Sequence, residues 1–115
     1  MAMNEDAEIN IFRRLDFIRD SAPVLAKAKA DRVHLEGYLK VKKATLMKAV
    51  QAEYPSAAAQ EREAYSHPEY LEVLDGLRVA TEQEEKLRWQ MIAAQAGIEC
   101  WRTLESTRRV EAKTL

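Results

Sequence analysis

From Tyr70 to Trp101, apolar residues return every three or four positions, as Tyr70, Val73, Leu77, Ala80, Leu87, Met91, Ala94, Ile98 and Trp101. An α-helix of 3.6 residues per turn puts such positions on one side, so the spacing predicts a long helix with a continuous apolar seam. That seam wants a partner helix. Trp89, Ile92, Ala93, Ala96 and Cys100 form a second apolar strip down the neighbouring face. Between Leu87 and Trp101 the helix is therefore apolar over most of its circumference, and one hairpin partner covers a single strip.

The rest of the chain narrows the class. At 115 residues it has the length of one domain, 1–115. Three Gly and three Pro leave few places to turn, which favours a few long helices over a sheet of short strands. The expected fold is all-α: a long antiparallel, coiled-coil-like helical hairpin with a short N-terminal helix, assembled as a helical-bundle oligomer.

Local signals place four helices, at about 4–20, 22–53, 57–65 and 66–111. Asn4 is suited to cap the first, with Glu5, Asp6 and Glu8 at the positive end of its dipole and Ile9, Phe12, Leu15, Phe17 and Ile18 as its apolar face. Ser21 before Pro23 reads as a restart, since proline suits a first helical turn that needs no donor. The second helix ends before Pro55, which pushes Tyr54 out of the helical region. Ser66, Pro68 and Glu69 have the spacing of a capping box, and Tyr65 and Tyr70 that of a hydrophobic staple.

The formal net charge of −1 sets up no overall field toward nucleic acid or an anionic membrane. Local charge is uneven. Lys27 to Lys48 holds seven Lys or Arg against Asp31 and Glu36, whereas Glu53 to Glu85 holds nine acids against Arg62 and Arg78. Cys100 is the single cysteine, which excludes an internal disulfide, suits a reducing compartment and reads as a buried thiol in the apolar strip. The acidic N-terminal residues do not fit a secretory or transit peptide, and no run approaches the ~20 apolar residues of a membrane span. A cytoplasmic protein with no membrane association is expected.

Catalytic and metal-binding patterns are poor. Asp31 and His34 stand three apart, but a bundle metal site needs such a pair on two helices with further carboxylates. His67 falls in a capping turn. There is no phosphate-cradling glycine loop, no Cys/His zinc spacing and no nucleophile beside a base, so neither an enzyme nor a metal or other cofactor is expected. Glu84 and Glu105 fall in the apolar seam, and ion pairing with Arg32 or Lys42, the basic residues that interrupt the second helix's seam, accounts for them.

Two kinds of partner follow. Trp89, Ile92, Ala93, Ala96, Gly97, Cys100 and Trp101 make a patch of small residues flanked by tryptophans, suited to a two-fold contact with a second copy. Lys40, Lys42, Lys43, Arg102, Arg108 and Arg109 are the residues that could meet the phosphates of a nucleic acid.

The segment Glu84-Glu85-Lys86-Leu87-Arg88-Trp89, with Ala93, Gln95-Ala96, Ile98-Glu99, Trp101-Arg102, Glu105 and Arg108, and Ala64-Tyr65 and Tyr70 before it, resembles a family of small proteins of tailed bacteriophages and prophages. Thr103 stands where that family carries Ser. The resemblance covers the second half and implies an early gene near recombination functions, acting in an infected bacterial cytoplasm. It implies a helical oligomer that binds another phage or host protein as an adaptor or inhibitor, in recombination or against host defence; the alternative is a DNA-binding accessory of recombination. It supplies no active-site residues.

Overall fold

The computed structural model describes residues 10–114. Their regular elements are three helices, α1 (Ile11–Ala49), α2 (Ala57–Ser66) and α3 (Pro68–Thr114), with no strand among the described residues. The all-α class holds, and two long helices joined through a short one accord with a helical hairpin. The chain divides into two compact units, one of residues up to 25 with those from 86 onward, the other of residues 26–85. Both long helices contribute to each unit.

Asn10 opens α1, its Oδ1 accepting the Arg13 amide at 3.0 Å. The expected cap at Asn4 and the acids Glu5, Asp6 and Glu8 lie outside the described residues. The expected break between helices 4–20 and 22–53 is not present, because α1 runs through Pro23. Pro23 cannot donate to the carbonyl of Arg19, yet both residues are exposed, so water reaches the freed oxygen. Ile18, Ser21 and Leu25 stay in one inward-facing register past the proline. Packing therefore overrides the local restart signal.

α1 stops at Ala49, four residues before the expected end. The amides of Val50 and Gln51 reach back three residues, to Met47 at 3.3 Å and Lys48 at 3.4 Å, which tightens the coil and ends the α-helical ladder before Pro55. Ser56 then caps α2, its Oγ accepting the Ala59 amide at 3.1 Å.

The start of α3 corrects a second expectation. Ser66 is the last residue of α2, and its hydroxyl donates backward to the carbonyls of Arg62 and Glu63 at 3.1 and 3.2 Å, so no capping box forms. His67 takes the role. Its amide closes α2 on the Ala64 carbonyl at 3.2 Å, and its Nδ1 accepts the Glu69 amide at 3.1 Å to open α3. The Tyr65 and Tyr70 rings meet edge to face at 5.3 Å, a contact at the predicted staple positions.

In the 26–85 unit the inward positions of α1 are Ala28, Arg32, Leu35, Leu39, Lys42 and Leu46, and those of α3 are Tyr70, Val73, Leu77, Ala80 and Glu84. Each set alternates steps of three and four. Arg32 meets Glu84, while Leu35, Tyr38 and Lys42 share a depression with Glu69, Glu72, Val73 and Gly76. Contacts ascend α1 as they descend α3, so the helices run antiparallel. Leu46 and Ala64 are the buried apolar residues here.

In the other unit Ile11, Arg14, Ile18, Ser21 and Leu25 of α1 face inward, as do Leu87, Met91, Ala94, Ile98, Trp101 and Glu105 of α3. Ala94 and Ser21 are its buried residues.

Because Pro23 removes a helical hydrogen bond without ending the helix, Pro23→Ala is expected to raise stability by about 1–2 kcal/mol. Urea denaturation followed by helical circular dichroism measures it; an unchanged or lowered midpoint would show that the proline is needed.

Candidate functional site

The polar groups of the 26–85 unit are largely committed to structure. Arg32 of α1 grips Glu84 of α3 with two nitrogens, Nε on Oε2 and Nη2 on Oε1 at 3.3 Å, while its Nη1 donates to Glu36 at 2.6 Å. Glu84 is 8% exposed, so this ion pair sits inside the helix seam. Bonding to Glu84 and then to Glu36 pushes the Arg32 pKa upward. Of the pairings expected for the seam acids, Arg32 with Glu84 forms. Glu105 instead takes Arg108 of its own helix at 2.8 Å, and Lys42 places Nζ 5.7 Å from the Tyr38 ring centre.

Lys43 docks α2 onto α1. Its ammonium donates to Glu61 at 3.1 Å and lies 4.7 Å from the Tyr65 ring centre. Tyr65 and Glu61 together hold the Lys43 pKa above the usual lysine range, and Lys43, with Tyr65, holds the Glu61 carboxyl below the usual carboxylate range.

These contacts bear on the basic residues singled out for phosphate. Lys40 is exposed, Lys42 lies against Tyr38 and Lys43 is engaged by Glu61. Arg102 pairs with Glu99 at 3.3 Å, Arg108 with Glu105, and Arg109 Nε donates to the Glu105 carbonyl at 3.4 Å. The three lysines belong to one unit and the three arginines to the other.

Asp31 is likewise engaged, by Lys27 at 2.9 Å, and His34 stacks with Tyr38 at 6.3 Å. Among the described residues no group of three or more His, Cys, Asp or Glu is placed to hold a metal ion, and no helix is long and apolar enough to cross a membrane.

The outer strip of α3 lies open. Trp89 is 58% exposed and Ile92 37%, and Ala93, Ala96 and Cys100 are exposed with them. The expectation of a buried thiol is thus corrected: Cys100 is exposed, on the face away from the seam. Trp89 has the Arg88 guanidinium 5.0 Å from its ring centre. Two residues grouped with this patch lie elsewhere. Trp101 is half-buried on the seam side, and Gly97 is half-buried because the Arg14 guanidinium fills the space a side chain would occupy. Arg14 Nη1 also donates to the Ala93 carbonyl at 3.3 Å, so a backbone notch on α3 receives an arginine from α1. Sequence gave no sign of this contact, since Arg14 and Ala93 are 79 residues apart.

α3 carries a second open surface. Leu71, Leu74 and Leu77 line a groove of about 690 Å³ along α3 with Asp75, Arg78, Thr81, Glu82 and Glu85. The signal was present as the 3,4 run Leu71, Leu74, Arg78, Thr81 and Glu85, a ridge beside the apolar seam.

No protein-family model matches this chain, and neither curated proteins nor solved structures yield a match.

Arg32→Met leaves Glu84 as an unpaired carboxylate in the seam, and a loss of about 5–10 °C in Tm is expected. The double variant Arg32→Met/Glu84→Leu should recover most of it. Equal losses in both would show that the charge is not what matters.

Because its folded pKa is depressed, Glu61 contributes stability above its ordinary value of 4.5, and that contribution fades as pH falls through the folded value. NMR titration should find the Glu61 midpoint below 4.5, returning upward in Lys43→Met. The same midpoint in both proteins would dismiss the contact.

Proposed function

We propose that this chain is a non-enzymatic helical adaptor that pairs with a second copy through the outer strip of α3 and in that state binds another protein. The observation that carries the reading is the exposure of Trp89, Ile92, Ala93, Ala96 and Cys100 together on one face, while the opposite face of the same helix is already covered. A contiguous apolar patch on a helix of this kind is a place where another surface lands.

The composition of the strip favours a copy of itself. Ala93 and Ala96 are small enough for two helix backbones to approach closely. If two α3 helices cross antiparallel at Ala96, Ile92 of one meets Cys100 of the other, and Trp89 meets Thr103. Such a contact is self-complementary about a two-fold axis. Gly97 and Trp101 belong to the seam and drop out of this interface. The resemblance to small phage proteins gives the reading its setting, an infected bacterial cytoplasm with a phage or host protein as the bound partner.

Sedimentation equilibrium at micromolar concentration tests it. A mass of twice 13.2 kDa is expected for the chain, and a single 13.2 kDa species for Ile92→Glu and for Trp89→Ala. A wild-type protein that stays at the single mass, with helical content unchanged, would overturn the reading.

A further inference from the structure

The groove along α3 in the 26–85 unit is separate in kind from the outer strip. Its floor is aliphatic and its edges are charged. Leu71 and Leu74 are 49% and 43% exposed, and Leu77 turns partly toward the seam. Asp75, Glu82 and Glu85 stand along the edges with a single base, Arg78, which reaches Asp75 at 3.0 Å and Glu82 at 3.9 Å. Three acids and one base therefore line the groove.

The cross-helix ion pairs of this unit draw in Glu84 and Glu61, leaving Asp75 and Glu82 on the exposed side beside the leucines. Part of the acidity of the middle of the chain, Asp75 and Glu82, is thus turned outward beside the leucines rather than spent against the basic part of α1. From Leu71 to Glu85 the helix rises about 21 Å, the length of a four-turn segment laid alongside it.

We infer that this groove is a docking site for a cationic amphipathic helix of a partner protein. The aliphatic side chains of such a helix, spaced at i, i+3, i+4 and i+7, enter between Leu71, Leu74 and Leu77, and its Lys or Arg residues meet Asp75, Glu82 and Glu85. Attraction between the edges steers approach and sets the sign of the partner, while the leucines supply the contact that holds it. The inference rests on the reading of the chain as a protein-binding adaptor. It does not need pairing through Trp89 and Ile92.

The probe is a fluorescein-labelled synthetic helix of about 18 residues, long enough to be helical when bound, with Leu at i, i+3, i+4 and i+7 and Lys elsewhere. Anisotropy with the full chain should show saturable binding that weakens as salt rises, since the edge charges are exposed. The same peptide with Glu in place of Lys, and a scrambled peptide of the same composition, should bind at least about tenfold more weakly. Leu71→Ser/Leu74→Ser should lose about tenfold. Glu82→Lys, a change at an exposed position that leaves the leucines alone, should lose affinity for the Lys peptide and gain it for the Glu peptide.

Equal binding of the Lys, Glu and scrambled peptides would overturn the inference, as would a Lys peptide indifferent to both variants. A fall in sedimentation mass on Leu71→Ser/Leu74→Ser would show that the occupant is a second copy, which also overturns it. The Ile92→Glu protein separates the two readings. Its monomer should still bind the peptide; a wild-type chain that binds the peptide at a single mass sinks the pairing alone, and a wild-type dimer that ignores the peptide sinks the groove alone.

Discussion

An apolar seam built on alternating steps of three and four nearly repeats itself when one helix slides by seven residues, so apolar contact alone is a weak determinant of register. The Arg32 and Glu84 pair breaks that degeneracy. Each is the charged member of its helix's inward row, and they meet at both nitrogen–oxygen contacts. A slide of one heptad would set Arg32 against Leu77 or Met91 and Glu84 against Leu25 or Leu39, leaving two charges desolvated with no partner. The pair adds little net attraction over two leucines, but it penalises every wrong alignment. Lys43 on Glu61 and the Tyr65 ring on Tyr70 are contacts of shorter sequence separation that hold α2 to α1 and to the start of α3.

The unit containing residues 86–114 solves a different packing problem. Its seam holds Ser21, Ala94 and the Arg14 guanidinium seated over Gly97, small or polar groups in places where the other unit has leucines. Large apolar side chains are correspondingly displaced outward. Phe12 is 74% exposed, and Leu15, Val24 and Trp89 are exposed too. A lone hairpin seldom leaves side chains such as Phe12 and Trp89 outside and a serine inside, because the transfer free energy favours the reverse. That inversion is the physical ground for reading this end of the fold as a surface made to be covered.

Much of this was legible from residue order. The seam could be read because helical periodicity is a local property, and Glu84 announced itself as an acid in an apolar row opposite a basic intrusion at Arg32. Other features depended on contacts that spacing does not carry. Pro23 reads as a boundary by its own chemistry, and only the inward register of Ser21 and Leu25 keeps the helix whole across it. Ser66 and His67 can both cap a helix. The choice was made by the Arg62 and Glu63 carbonyls, which lie within reach of the serine hydroxyl. The two tryptophans looked alike in sequence, yet twelve positions is not a whole number of helical turns, and the offset puts Trp101 on the seam and Trp89 outside it.

The uneven charge of the chain has the same structure. A basic segment followed by an acidic one suggests internal neutralisation, and α1 and α3 do lie against each other in the 26–85 unit. Neutralisation nevertheless requires the charges to face inward, and a helix devotes only its seam and the edges of that seam to its partner. Arg32 and Lys43 of the basic segment occupy such positions; Lys29, Lys40 and Lys48 do not. On α3 the seam positions went to Tyr70, Val73, Leu77 and Ala80, so the acids between them had to lie outside. The same geometry that makes the apolar seam continuous therefore compels the intervening carboxylates onto the surface, and where two leucines fall among them, as Leu71 and Leu74 do, the surface becomes apolar at its centre and negative at its rim.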